Sequence, residues 1–184
     1  MQVDAWDSVF IRARRAEVHA VLADPASYAD WWPGLQATAR GDLLLVTHPP
    51  RLRLGPSHRT AVRVMKVRPE LGIDFAYAGD LDGEAEFYYL DEVDGTVVTY
   101  LLRATTGHRR WRALLADHRA SVRVALHELK DRLEGARLPG TEPDPRLLAD
   151  QREAALRFRA GVEAHARKLA SARGADSRSQ SGTE

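Results

Sequence analysis

Cysteine is absent from the sequence, which excludes disulfides, thiolate catalysis and Cys-ligated metal. No apolar run is long enough to span a bilayer. The first residues, MQVDAWDSVF, lack the basic region and apolar core of a signal peptide, so the chain reads as cytoplasmic with no stable membrane insertion. Excess charge of either sign is also missing. The formal net charge is +1, which predicts neither nucleic acid nor an anionic membrane as partner. Lysine occurs only at 66, 130 and 168 while arginine is abundant, a bias that says nothing of function. There is no glycine-rich phosphate loop and no GxSxG nucleophile elbow. The seven histidines form no HExxH, and His118 and His127 lie nine apart on opposite faces of one helix. Asp80, Asp82 and Glu84 lack calcium-loop spacing and read as solvated turn acids. No metal and no cofactor are expected.

What is present is 184 residues, 44% hydrophobic and 29% charged, enough for one soluble globular domain with length to spare. The strongest pattern is a helix from Arg110 to Glu134. Trp111, Leu115, His118, Val122, Leu126, Leu129 and Leu133 recur at steps of three or four and form one stripe. Gly135 stands where a positive-φ cap would end it. At ~1.5 Å per residue this helix is roughly 37 Å long, enough to cross a small domain. One polar residue, His118, interrupts the stripe.

Before it, Val3–Ile11 alternates as a strand. Ala16–Ala23 makes a short helix. Asp24 and Pro25 supply an N-cap and a first-turn residue for another, which ends at Trp31-Trp32-Pro33-Gly34 because Pro33 biases Trp32 away from helix. Leu35–Thr47 is one strand or a bulged pair kinked at Gly41-Asp42, and His48–Ser57 a Pro-rich loop. Strands follow at Arg59–Val67, Leu71–Gly79, Glu84–Leu90 and Thr96–Thr105, joined by Asp- and Gly-containing turns. Consecutive hairpins mean an antiparallel sheet. A sheet of about six or seven strands and one long striped helix give an α+β domain over residues 1–135. Such a sheet can curve around the helix, with the two short helices plugging one end and a cavity left between. Residues 136–145 read as a linker. Residues 146–172 read as an additional helix that packs on the domain, mediates oligomerisation or closes the cavity, and 173–184 have the composition of a disordered tail.

Strand alternation defines an inward set. Phe87 shares a face with Ala85 and Tyr89, as do Val98, Tyr100 and Leu102 on the next strand and Ile73, Phe75 and Tyr77 on the one before. Phe75, Tyr77, Phe87, Tyr89 and Tyr100 would then converge with His118. An apolar pocket with a few hydroxyls is the usual form of a small-molecule site, though the same aromatics would serve as plain core. His118 is the candidate general acid/base, since its ordinary pKa of ~6.5 lies near working pH; the alternative is a core histidine satisfied by a tyrosine hydroxyl or a backbone carbonyl. Arg112, Arg119, Arg123 and Lys130 lie off the stripe and read as a solvated face. Arg63 and Arg103 sit within strands, where an inward one would polarise a ketone.

Several segments resemble the SRPBCC superfamily of START-like, helix-grip proteins, and its polyketide cyclase/dehydrase-like bacterial members in particular. They are DPASYADWWPGL, AGDLDGEAEFYYL, DEVDGTVVTY with LLRATT, and Asp117-His118 in the long helix, together covering roughly Val3–Glu134. The resemblance implies a sheet gripping the helix around a pocket for a lipid-like or polycyclic ligand. Its lining would be Trp32, Phe75, Tyr77, Phe87, Tyr89, Tyr100, Trp111, Leu115 and Val122, with His118 as the polar, catalytic candidate. The stretch from Arg146 onward lies outside it. Three functions remain open: a binding fold for a small hydrophobic molecule, an aromatase/cyclase performing aldol cyclisation and dehydration, and a protein-interaction module without a working cavity.

Overall fold

A computed structural model describes residues 1–40, 43–48, 58–92, 94–135, 142 and 145–180. The chain divides into two units, Met1–Pro143 and Asp144–Glu184. In the first, the order is β1 (Gln2–Ile11), α1 (Arg15–Leu22), a 3-10 turn (Pro25–Ser27), α2 (Tyr28–Trp31), β2 (Gln36–Arg40), β3 (Leu43–His48), β4 (His58–Arg68), β5 (Gly72–Gly79), β6 (Asp82–Glu92), β7 (Gly95–Thr105) and α3 (Trp111–Glu134). One seven-stranded antiparallel sheet runs β1-β7-β6-β5-β4-β3-β2. The first strand therefore closes onto the last, and α3 lies over the β1 side of the inner face.

Of the two readings of Leu35–Thr47, one strand or a pair, the pair holds: β2 and β3 are antiparallel, with Arg40 opposite Leu43. Gly41 and Asp42, like most of the Pro-rich loop (49–57) and of the linker, lie outside the described residues. One local expectation is corrected. Asp24 makes no side-chain cap; its carbonyl instead accepts from the Ser27 N–H and hydroxyl, which gives a 3-10 turn before a four-residue α2.

The inner face follows strand alternation. Ala85, Phe87 and Tyr89 are buried on β6, Val98, Tyr100 and Leu102 on β7, and Ile73 and Phe75 on β5. On α3 the buried residues are Leu114, His118, Val122, Ala125, Leu126 and Leu129, while Trp111, Leu115 and Leu133 are half-buried. The buried stripe is therefore wider than the one spaced by threes and fours, because a curved sheet touches the helix on both sides of its seam. Gly135, with φ 61°, ends the helix as expected.

The last turn of α3 is fastened to β1 by polar contacts. Lys130 donates to the Phe10 carbonyl at 2.9 Å and pairs with Glu134, which also accepts from the Arg12 N–H at 2.7 Å. Burial alone would raise the Glu134 pKa, but Lys130 and the Arg12 amide more than offset this and hold it below the usual range. A lowered carboxyl stabilises the fold above its unfolded value and stops doing so as pH falls through its folded one. Glu134→Gln is therefore expected to lower Tm by roughly 1–2 °C at pH 7. Wild type and variant should converge below the usual glutamate value of ~4.3, as thermal melts across pH would show.

In the second unit, α4 spans Pro145–Gln180, continuing past the 172 end read from the sequence into the stretch expected to be a disordered tail. No proline stops it there. Leu156, Phe158 and Val162 are exposed on it. No helix among the described residues is long and apolar enough to cross a membrane.

Candidate functional site

His118 lies in the N-terminal third of α3, on its buried stripe, and is 1% exposed. Tyr100 on β7 and Tyr77 on β5 face it from inward positions of their strands. The Tyr100 hydroxyl lies 2.8 Å from His118 Nε2 and donates to the Tyr77 hydroxyl at 3.3 Å. With the Tyr100 proton given to Tyr77, Nε2–H of His118 is the donor to the Tyr100 oxygen. On β6, the strand between them, Gly83 stands opposite Tyr77, and Ala85 follows at the next inward position; these small residues leave room for two phenols to meet.

The aromatic wall continues from this trio. Phe87 packs on Tyr100 with centroids 5.3 Å apart, and Phe75 on Phe87 at 6.0 Å. Trp32, beyond α2, donates from its indole nitrogen to the Ser121 hydroxyl on α3 at 2.8 Å, tying the Trp-Trp-Pro-Gly turn to the gripped helix. Val122, one turn beyond His118, is 1% exposed. Tyr89 is buried on the same face as expected, but its ring contact is with His19 of α1, 5.9 Å away. Among the sequence-chosen residues, Tyr77 and Tyr100 thus meet His118 directly, Phe87 and Phe75 reach it through Tyr100, and Tyr89 packs toward α1.

Tyr77, Trp111 and Leu115 are only half-buried, whereas Tyr100 and His118 are buried. The polar chain therefore runs from a partly open end of the grip into its interior. Sequence reasoning missed two residues near that end. His58 and Thr60 are each 4% exposed on β4, on the face that carries Val62 opposite Tyr77. Thr60 pairs with Gly79, and its hydroxyl has no hydrogen-bond partner among the described residues. The signal is the alternation His58-Thr60-Val62, which the adjoining Pro-rich loop hides, since β4 begins one residue before the expected Arg59.

Burial raises the pKa of Tyr100 and Tyr77 above the phenol range, with the Tyr100 hydrogen bond partly countering the rise at Tyr77. Both stay protonated near neutrality and can donate to a carbonyl or hydroxyl oxygen. Burial also lowers the His58 pKa, against the opposing pull of Asp117 and Asp80.

The strand arginines Arg63 and Arg103 are exposed, so neither is an inward polariser. Asp80 is not simply solvated; its carboxylate accepts from the Arg59 N–H at 2.8 Å and its carbonyl from the Thr106 hydroxyl at 2.6 Å. Among the described residues no three histidine or acidic side chains are grouped to hold a metal.

No protein-family model matches the chain, and no curated protein does. Solved structures do. The di-domain ARO/CYC StfQ from the steffimycin biosynthetic pathway is 15% identical with a TM-score of 0.57 over 73% of this chain; the match spans about half of that protein, 52%. The Zhui aromatase/cyclase from Streptomyces sp. R1128 is 15% identical with a TM-score of 0.57, covering 76% of this chain and 99% of that one. A START superfamily protein from Mycobacterium smegmatis is 17% identical with a TM-score of 0.56, covering 73% and 99%. At such identities the likeness is one of fold, and the first unit has the START-like helix-grip fold.

Proposed function

We propose that the first unit binds a small hydrophobic molecule, lipid-like or polycyclic, between its sheet and α3. Tyr77, Tyr100 and His118 are its polar wall. Phe75, Phe87, Val122 and Trp32 line its interior, Tyr89 its α1 end, and Trp111 and Leu115 its mouth. The observation that carries this reading is the hydrogen-bonded chain from half-buried Tyr77 through Tyr100 to His118 inside an aromatic core. Neutral donors in apolar surroundings suit a ligand that is mostly carbon with a few oxygens. A histidine at the inner end of that chain also favours a second reading, aldol cyclisation and dehydration of a poly-β-ketone. There His118 would take an α-proton, the enolate carbon would attack a second ketone carbon and close the ring, and His118 would return that proton to the new alkoxide; removal of the remaining α-proton by His118 would then let the hydroxyl take it and leave as water, with positioning between sheet and helix supplying much of the rate.

A neutral bicyclic probe tests the shared part of both readings. Methyl 6-hydroxy-2-naphthoate titrated into the isotopically labelled full chain should shift the amide signals of Tyr77, Tyr100, His118 and Val122 and leave Glu84 and Arg103 on the outer face unmoved. Shifts confined to the outer face, or none at all, would exclude a ligand between sheet and helix.

A further inference from the structure

The half-open end of the grip adjoins a pocket of different chemistry. It has a volume of about 580 Å³ and is lined by Gly79, Asp80, Gly107, His108, Arg109 and Arg110. Gly79 lies two residues beyond Tyr77 on β5, and Arg110 directly precedes Trp111 on α3. The pocket and the mouth of the proposed site are therefore consecutive along two separate elements.

Arg109 and Arg110 are exposed, and neither makes an ion pair among the described residues. Elsewhere on the unit, Arg15 is bound to Asp91, Arg68 to Asp74 and Glu86, and Arg123 to Asp7. His108 Nδ1 accepts from the Arg110 N–H at 3.1 Å, so its ring proton sits on Nε2 and is available to an acceptor. The acid in the lining, Asp80, is held by the Arg59 amide at 2.8 Å. Two uncommitted guanidinium groups and an imidazole N–H make a receptor for a planar anion, which a carboxylate matches.

We propose that this pocket holds the carboxylate of an amphiphilic ligand. The ligand's apolar, oxygen-bearing body passes Tyr77 and Trp111 toward Tyr100 and His118. From Arg110 to His118 along one helix is roughly 12 Å, the scale of a bicyclic or short-chain body. Thr60, paired across the sheet with the pocket residue Gly79, has a buried hydroxyl without a partner among the described residues, which offers that body a hydrogen bond. This inference rests on the hydrophobic-ligand reading and adds a charge requirement to it.

The test compares 6-hydroxy-2-naphthoic acid with its methyl ester by fluorescence titration of the full chain at pH 8, where the acid is ionised. Wild type should bind the acid about tenfold more tightly than the ester. The double variant Arg109→Gln, Arg110→Gln should bring the acid down to the ester's affinity and leave the ester unchanged. Equal binding of acid and ester by wild type would overturn the carboxylate pocket while leaving the hydrophobic site standing. So would a double variant that weakens both alike, or neither. Failure of wild type to bind either compound would overturn the hydrophobic-ligand reading and this inference with it.

Discussion

Leu129→Ala is expected to destabilise the first unit by about 2–5 kcal/mol, the cost of a buried leucine's lost transfer energy plus the cavity left behind. Leu129 is 0% exposed, on the α3 face pressed into the sheet. Its apolar attachment to the sheet runs through that face, beside Val122, Ala125 and Leu126, with Lys130 and Glu134 adding polar contacts at the last turn. Val124, on the same helix but 47% exposed, is the control. Val124→Ala should stay within about 0.5 kcal/mol. Urea unfolding of both variants separates the two outcomes, and a cost under about 1 kcal/mol for Leu129→Ala would mean that the sheet does not grip the helix.

This architecture was largely legible in the sequence because two periodicities carried it. The alternation through Phe87, Tyr89, Tyr100 and Leu102 put the correct residues inside, and the stripe through His118, Val122, Leu126 and Leu129 found the helix face. Both patterns are enforced by burial on one side, which leaves little freedom of register. The losses came where burial is two-sided or where local chemistry competes. Leu114 and Ala125 flank the helix seam and are buried only because the sheet curves around it. Asp24 looked like a helix cap, but Pro25 and Ser27 favoured a 3-10 turn closed through the Asp24 carbonyl.

The candidate site was legible as a face but not as a network. Alternation placed Tyr77 and Tyr100 inward, and helical spacing did the same for His118. That their polar atoms meet depends on side-chain reach across β6, where Gly83 and Ala85 leave space. Nothing in a linear pattern reports that distance. Tyr89 illustrates the limit: it shares a face with Phe87, yet its ring lies against His19 because α1 covers that end of the sheet. His58 and Thr60 were obscured by the Pro-rich stretch before them, and no linear pattern sets Arg109 and Arg110 beside Gly79 and Asp80, which are some thirty positions away.

His118→Ala carries the second large effect. The substitution leaves the buried Tyr100 oxygen without its Nε2 partner, which should cost about 1–3 kcal/mol of stability while leaving the circular dichroism spectrum native. It should also remove the inner donor from the ligand's surroundings. Tyr77→Phe separates the two consequences. Tyr77 is half-buried at the outer end of the chain, so losing its hydroxyl should cost less stability yet still weaken binding. The direct measurement is the dissociation constant of methyl 6-hydroxy-2-naphthoate for wild type and His118→Ala, taken by fluorescence titration at a temperature where both are folded. An increase of about tenfold in the variant is the expected result. An unchanged constant, with stability alone reduced, would make His118 a core residue and contradict a ligand site at the centre of the grip.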